Sequence, residues 1–179
     1  MEVEKKYRVV RERQELLRQR LAEVGASFVG EEFEENTLYA GAGLDPRSRV
    51  LRLRRAAGRA VLTYKERFAS ASAIKRQRED ETRVDDPDAL ASILGALGYE
   101  PALVYEKRRQ TWRLAGVEVV IDELPFGSFV EIEGEESTIA AAEQLLDLSE
   151  AVAEHESYPE LTVRYGEKRG SVTEARFGR

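Results

Sequence analysis

The sequence of 179 residues is long enough for one domain with a buried core, and 35 % of its residues are charged. The net charge of −6 argues against a general nucleic-acid or membrane-surface protein, because binding to either needs a basic excess. The absence of cysteine excludes disulfides, thiolate zinc sites and cysteine nucleophiles, so any catalysis must use carboxylates, lysines, arginines, hydroxyls or a bound metal.

Three segments show the periodicity of amphipathic helices. The first covers about residues 11–24 and is followed by Gly25, a typical helix end. The second follows Asp86-Pro87, which is a helix start signal, and the third runs from about 138 to 148. The tail after Pro159 has no such pattern and predicts a loop or a loosely attached segment.

Eight further segments have the alternation and composition of strands. They cover residues 2–9, 28–40, 49–55, 60–67, 73–84, 103–114, 116–122 and 128–134. Turn signals such as Ala57-Gly58-Arg59 separate them. Many strands with short connections and few helices predict a mainly β (α+β) fold, an antiparallel eight-stranded β-barrel with helices packed outside. One domain over residues 1–179 is expected.

Charged residues recur at every second position along several of these strands and therefore share a face. Arg52 and Arg54, for example, alternate with Leu51 and Leu53. Further doublets are Glu2 and Glu4, Lys107 and Arg109, and Glu131 and Glu133. A sheet with one solvated face would produce the same alternation. Because the amphipathic helices need an apolar sheet surface to cover, the doublets together favour a barrel with a charged interior.

A charged interior favours one class of ligand. Buried carboxylates and guanidinium groups are costly unless other charges compensate them, and a barrel of about eight strands can enclose one small ligand. Arginine and lysine suit the oxygens of a polyanion, while glutamates suit its metal ions. Without histidine or cysteine ligands, a hard ion such as Mg²⁺ or Mn²⁺ is expected.

Several short motifs also occur in a fixed order. They are Glu2-Val3-Glu4-Lys5-Lys6, Asn36-Thr37-Leu38-Tyr39, Leu51-Arg52-Leu53-Arg54, Thr63-Tyr64-Lys65, Arg78-Glu79-Asp80-Glu81, Glu106-Lys107-Arg108-Arg109, Val120 to Leu124, Gly127 to Glu133 and Ser157-Tyr158. This set resembles the CYTH superfamily, the triphosphate tunnel metalloenzymes, and looks closest to the class IV adenylyl cyclase and thiamine triphosphatase-like branch. The resemblance spans nearly the whole chain. Where family members often have an acidic turn, this chain has Ala40-Gly41-Ala42-Gly43.

The resemblance implies roles for the matching residues. The metal ligands would be Glu2, Glu4, Asp122, Glu131 and Glu133. The triphosphate would be bound by Arg52, Arg54, Lys65, Arg78, Lys107 and Arg109. The catalytic pair would be Lys6 and Tyr39. One strand is ambiguous, because Arg76 and Arg78 share one face whereas Glu79 and Glu81 take the other.

The resemblance implies an enzyme that acts on inorganic triphosphate, thiamine triphosphate or ATP. Metal-dependent hydrolysis is favoured because it requires no base pocket beyond these motifs. The alternative is a class IV adenylyl cyclase, in which the ribose 3′-hydroxyl of ATP attacks the α-phosphorus. A second alternative is a polyphosphate- or nucleotide-binding module without turnover. We expect a cytoplasmic protein without nucleic-acid or membrane partners, and a homodimer stays open.

Overall fold

The computed structural model describes residues 3–41, 43–68, 76–149 and 151–178. The elements within these ranges are β1 (Val3–Val9), α1 (Arg11–Glu23), β2 (Ser27–Ala40), β3 (Arg49–Ala56), β4 (Arg59–Phe68), β5 (Arg76–Val84), α2 (Pro87–Ala96), β6 (Glu100–Leu114), β7 (Val117–Leu124), β8 (Gly127–Gly134), α3 (Glu136–Leu145), α4 (Tyr158–Tyr165), β9 (Glu167–Arg169) and β10 (Val172–Ala175). None of the helices in these ranges has the length and apolar character needed to cross a membrane.

The strands form a mainly antiparallel sheet in the order β1-β8-β7-β6-β2-β3-β4-β5. The pairs β1–β8, β7–β8, β6–β7, β2–β3, β3–β4 and β4–β5 are antiparallel, and only β10 joins β6 in parallel among the described pairings. The predicted antiparallel sheet with helices is therefore confirmed. No described pairing joins β1 to β5, so the sheet is not closed.

The chain divides into two compact units. Unit 1 comprises Met1–Phe33, Lys107–Tyr158 and Phe177–Arg179, and unit 2 comprises Glu34–Glu106 and Pro159–Arg176. The long strands β2 and β6 contribute residues to both units. The expectation of a single domain over the whole chain stays a prediction.

Unit 1 has an apolar core between one face of its sheet and two helices. The core residues include Leu17 and Leu21 of α1, Ile139 and Ala142 of α3, and Val119, Ile121, Val130 and Ile132 of the sheet. Each fully buried aliphatic side chain of this kind stabilises the fold by roughly 1.5–3 kcal/mol. Gly25, with a φ of 78°, follows α1 as the sequence predicts.

Unit 2 has its own apolar core beneath α2. Tyr39, Leu53 and Ala60 of the sheet pack with Leu94 of the helix. The helix begins as predicted, because the carboxylate of Asp86 accepts hydrogen bonds from the first free backbone N–H groups, at 2.9 and 3.1 Å.

Gly41 lies where β2 ends and where an acidic turn is common in the family that the motifs resemble. A Cβ atom at this position would lie 2.8 Å from the carbonyl oxygen of Gly98 and 2.5 Å from the Tyr99 ring. The backbone of the turn after α2 therefore leaves room only for glycine at position 41.

The segment after Pro159 differs from the predicted loop, because it forms α4 and a hairpin of β9 and β10. Leu161 and Thr162 are fully buried, and Ala175 is buried as well. The two-residue turn between β9 and β10 contains Gly170 with a φ of 64°, the signal that could have predicted this hairpin.

Arg176 secures β10 to the strands of unit 2. Its guanidinium donates to Glu35 at 2.5 Å, to Glu106 at 3.0 Å and to Glu174 at 3.1 Å. Burial opposes the charged form, but the three carboxylates outweigh it and raise the pKa of Arg176. The tail is thus part of the folded sheet.

A buried hydrogen bond joins β1 to α3 in unit 1. The hydroxyl of Tyr7 donates to Glu143, which also accepts from Lys5 at 2.5 Å. Burial and the neighbouring carboxylate raise the pKa of Tyr7. Burial alone would raise the pKa of Glu143, but the hydrogen bonds from Lys5 and Tyr7 outweigh it and lower that pKa.

We expect Glu143→Leu to lower the free energy of unfolding at pH 7 by about 1–3 kcal/mol, because the buried Tyr7 hydroxyl loses its acceptor. The folded pKa of Glu143 is lowered, so its ionic contribution is complete above the ordinary value of about 4.3 and declines as the pH falls through the folded value. Glu143→Gln keeps the side-chain size and removes the charge. Urea unfolding of this variant and of wild type between pH 7 and pH 3 therefore measures the ionic contribution of Glu143 to the free energy of unfolding. Parallel stability curves for the two proteins would contradict it.

Candidate functional site

In unit 1, the sheet face opposite α1 and α3 carries charged side chains. Lys6 of β1 lies directly opposite Glu131 of β8, and Arg109 of β6 lies opposite Asp122 of β7. Opposed residues of antiparallel strands project to the same side, so these side chains share one face. The apolar residues of the same strands face the helices, and charge is segregated as the alternation predicts.

Asp122 is the fully buried centre of this face. Arg109 donates to both of its oxygens, at 2.8 and 2.6 Å, and Tyr158 donates to Oδ2 at 2.8 Å. The Lys107 ammonium lies 3.6 Å from the same oxygen. Burial favours the protonated acid, but Lys107, Arg109 and the hydrogen bonds outweigh it and lower the pKa of Asp122. Both oxygens contact protein cations, and the role of Asp122 as a metal ligand stays a prediction.

Glu131 lies beside this centre. It accepts a hydrogen bond from Arg109 at 2.6 Å, and its other oxygen lies 3.7 Å from the Lys6 ammonium. Burial, together with the negative charges of Asp122 and Glu4, outweighs these cations and raises the pKa of Glu131 to about 7. The carboxylate thus lies where more positive charge would be favourable.

The tyrosine beside Lys6 within unit 1 is Tyr158, and the catalytic pair of Lys6 and Tyr39 stays a prediction. The Lys6 ammonium donates to the carbonyl of Glu156 at 3.0 Å and lies 4.4 Å from the Tyr158 ring centroid. Tyr39 instead packs against Leu53 in the apolar core of unit 2. Its position, three after Asn36, turns it to the opposite face of β2 from that residue.

Tyr158 is a site residue that the sequence analysis identified only as part of a closing motif. Burial, followed by the charges of Asp122 and Glu131, raises its pKa well above the ordinary value. Its phenol therefore stays protonated and acts as a hydrogen-bond donor to Asp122. The signal was the Ser157-Tyr158 motif, but its long separation from the strands hid the contact.

The remaining predicted metal ligands are carboxylates on the edge of unit 1. Glu4 lies opposite Glu133, and Glu133 lies opposite Glu118, so three glutamates form a row across β1, β8 and β7. An all-oxygen donor set of this kind suits Mg²⁺ or Mn²⁺. Within the described ranges no three acidic groups already converge into a metal cage. Glu2 lies outside the described residues.

In unit 2, the predicted triphosphate ligands of β3 and β4 share one face. Arg52 lies opposite Thr63, with Nη2 to Oγ1 at 3.4 Å, and Arg54 and Lys65 follow at two-residue steps. Leu53, between the two arginines, is fully buried on the other face. The structure therefore brings Arg52, Arg54 and Lys65 together, as the alternation predicts.

The register of β5 resolves the ambiguous strand. Glu79 lies opposite Lys65 at 3.0 Å, and Glu81 accepts from Thr63 at 3.1 Å. Arg78 therefore projects from the other face, where it pairs with Asp80 at 2.6 Å and its side chain is 60 % exposed. Arg78 is not brought together with the predicted triphosphate ligands, because strand alternation turns it away.

Glu34 and Asn36 of β2 join the charged face of unit 2, a role that sequence reasoning missed. Asn36 lies opposite Arg54, and its amide Nδ2 donates to Glu34 at 3.2 Å. Glu34 in turn lies 3.8 Å from Arg54, which also approaches Glu81 at 3.7 Å. Glu34 stands in an acidic run that looks like solvated surface, and its two-residue spacing from Asn36 was the available signal.

Solved structures from several organisms share this fold. PH1012 from Pyrococcus horikoshii OT3 is 27 % identical with a TM-score of 0.74, covering 90 % of this chain and 99 % of that chain. A candidate adenylate cyclase from Vibrio parahaemolyticus is 26 % identical with a TM-score of 0.71. The match covers 89 % of this chain and 96 % of that chain. HpAC1 from Hippeastrum, described with a dominant triphosphatase activity, is 20 % identical with a TM-score of 0.67, covering 91 % and 94 %, a likeness of fold alone.

No curated protein matches the sequence. The match to a protein family is extensive, since it covers residues 1–164 and includes every strand from β1 to β8. The chain belongs to the CYTH domain family.

Proposed function

We propose that the protein is a divalent-metal-dependent triphosphate phosphohydrolase that acts on inorganic triphosphate or an organic triphosphate. The observation that carries the proposal is the row of Arg52, Arg54 and Lys65 on one face of a CYTH chain. Nε of Arg52 is buried without a hydrogen-bond partner among the described residues. A guanidinium N–H needs an acceptor, and a phosphate oxygen supplies one in charge-assisted geometry.

The charged face of unit 1 carries cations of its own that suit phosphate oxygens. Lys107 is buried, and Arg109 is held by two hydrogen bonds to Asp122. Burial opposes the charged form of Arg109, but Asp122 and Glu131 outweigh it and raise its pKa well above the ordinary value. Donors that are fixed before the substrate arrives stabilise the charge that develops on phosphoryl oxygens without reorganising.

Lys6 is a further cation on the charged face of unit 1. Its charge is fixed between Glu131 and the Tyr158 ring, and this position suits contact with a phosphate oxygen. Glu4, Glu131 and Glu133 would hold Mg²⁺ or Mn²⁺. A bound ion would neutralise phosphate charge and favour attack on phosphorus.

We expect Glu133→Gln to raise the Mg²⁺ or Mn²⁺ concentration for half-maximal activity by about tenfold or more, because the site loses a charged ligand. Glu123→Gln is the matched control, since Glu123 projects from the other face of β7 and pairs with Arg108 at 3.5 Å. Mn²⁺ binding measured by electron paramagnetic resonance gives a readout apart from activity. Full activity in excess chelator would rule out the metal dependence.

An adenylyl cyclase is the second candidate, favoured by the likeness to the Vibrio protein at 26 % identity. Both reactions need the same binding of the phosphates, and they differ in which phosphorus atom is attacked. Incubation with inorganic triphosphate, thiamine triphosphate and ATP, each with Mg²⁺ or Mn²⁺, separates them. Orthophosphate from the first two supports the hydrolase, and cyclic AMP from ATP supports the cyclase. Binding without any turnover would contradict both.

A further inference from the structure

Oδ1 of Asn36, a residue with 0 % exposure, and Nε of Arg52 lie on the charged face of β2 and β3 and are buried without a hydrogen-bond partner among the residues that the structure describes. Oε1 of Glu34 on the same face has no hydrogen bond there either, but it lies 3.8 Å from the Arg54 guanidinium. A buried polar atom without a hydrogen bond is costly, so Asn36 and Arg52 point to a ligand that completes them. The first atom needs a donor and the second needs an acceptor.

Glu34 determines which end of the Asn36 amide is left over. Nδ2 donates to the Glu34 carboxylate at 3.2 Å, and an ionised carboxylate can only accept. Exchanging the amide oxygen and nitrogen would place two acceptors against each other, so the network assigns the orientation. Glu34 is itself 1 % exposed, and its other oxygen lies 3.8 Å from Arg54, an ion pair that holds the side chain in place. Oδ1 is therefore turned away from Glu34.

The strand register places this acceptor beside the phosphate-binding arginines. Asn36 lies opposite Arg54 and diagonally across from Arg52, within reach of a long side chain. The oxygens of an ionised triphosphate accept hydrogen bonds, so they satisfy Arg52 and leave Asn36 without a donor. A water or hydroxyl O–H beside the phosphate would supply the donor that Asn36 lacks.

We propose that Asn36 binds and orients the O–H group that attacks phosphorus, an inference that rests on the proposed function and adds a catalytic residue to it. In hydrolysis, the water oxygen bonds to the terminal phosphorus while the bond from that phosphorus to the bridging oxygen breaks. The bridging oxygen keeps the electron pair and leaves with pyrophosphate, and one water proton passes to solvent. Asn36 accepts a hydrogen bond throughout and takes no proton.

The same acceptor could receive a substrate hydroxyl instead of water. In cyclisation, the ribose 3′-hydroxyl oxygen bonds to the α-phosphorus, pyrophosphate leaves with the electron pair, and the hydroxyl proton passes to solvent. The shared chemistry is an O–H donor next to phosphate, and the two sources give different products.

The test compares Asn36→Leu, which keeps the side-chain size and removes the acceptor, with wild type. We expect kcat on inorganic triphosphate to fall by about 10²-fold, the loss typical of one positioned hydrogen bond. KM, and the Kd for triphosphate measured by calorimetry, should change less than about threefold, because the arginines bind the phosphates. Thr37→Val is the matched control, since Thr37 is buried in the same strand and projects from the other face.

The product that is lost in the variant identifies the source of the O–H group. Loss of orthophosphate release assigns the donor to water, whereas loss of cyclic AMP formation alone assigns it to the substrate hydroxyl. Asn36→Ser, with a shorter side chain, replaces the leucine variant if that variant does not fold, and should lose kcat in the same way. Unchanged kcat in a folded variant, or a loss explained by KM and Kd, overturns the inference while the proposed function stands. A wild-type protein without turnover overturns both.

Discussion

Asp122→Ala is expected to lower the free energy of unfolding by about 3–5 kcal/mol, because it removes a buried counter-charge that two cations share. Arg109 loses both hydrogen bonds to this carboxylate, Lys107 loses an ion partner, and Tyr158 loses an acceptor. The loss far exceeds the cost of deleting a surface ion pair, which is about 0–1 kcal/mol. Denaturant unfolding followed by circular dichroism measures it.

Glu123→Ala is the control for this variant. Glu123 is the next residue of β7, projects from the other face and meets Arg108 at 3.5 Å with part of its side chain exposed. Its removal should cost less than about 1 kcal/mol. Similar losses in the two variants would show that Asp122 does not organise the cations of unit 1.

Arg52→Ala is expected to lower kcat/KM for triphosphate by about 10²–10³-fold with the fold intact. The side chain projects from the face opposite Leu53, and its buried Nε has no acceptor among the residues described. Arg52→Lys should restore only part of the activity, because an ammonium lacks the planar fork that matches phosphate oxygens. Steady-state kinetics with inorganic triphosphate provide the measurement.

Arg78→Ala is the matched control, because it removes the same charge from the neighbouring strand β5, on the face opposite the one that carries Arg52. Its side chain is exposed and paired with Asp80, so kcat/KM should change less than about twofold. Equal losses of kcat/KM for the two variants would indicate a general effect of charge rather than a binding site on the face that carries Arg52.

Alternation along strands predicted which charged residues share a face because it depends only on local backbone geometry. It correctly grouped Arg52, Arg54 and Lys65. It also showed that the arginines and the glutamates of β5 cannot lie on the same face. The choice between Arg78 and Glu79 required the register with β4, which no local pattern contains. A single residue of register shift would have reversed it.

Contacts between distant segments could not be predicted in the same way. Tyr158 reaches Asp122 from a segment 36 residues later, and Tyr39 packs in an apolar core formed by strands and a helix of unit 2. The burial of Glu34 depends on tertiary packing around an acidic run. Polar residues in strands can be grouped by face, but their partners depend on the assembled sheet.

The pairing of β1 with β8 has a consequence for synthesis of the chain. Val3 pairs with Gly134, and a ribosome adding about 5–20 residues per second makes β1 roughly 10 s before its partner strand exists. An unpaired apolar strand would invite pairing with another nascent chain during that time. The alternating charges of Glu4, Lys6 and Arg8 oppose such association. The charges of β1 would therefore also disfavour aggregation of the unfinished polypeptide.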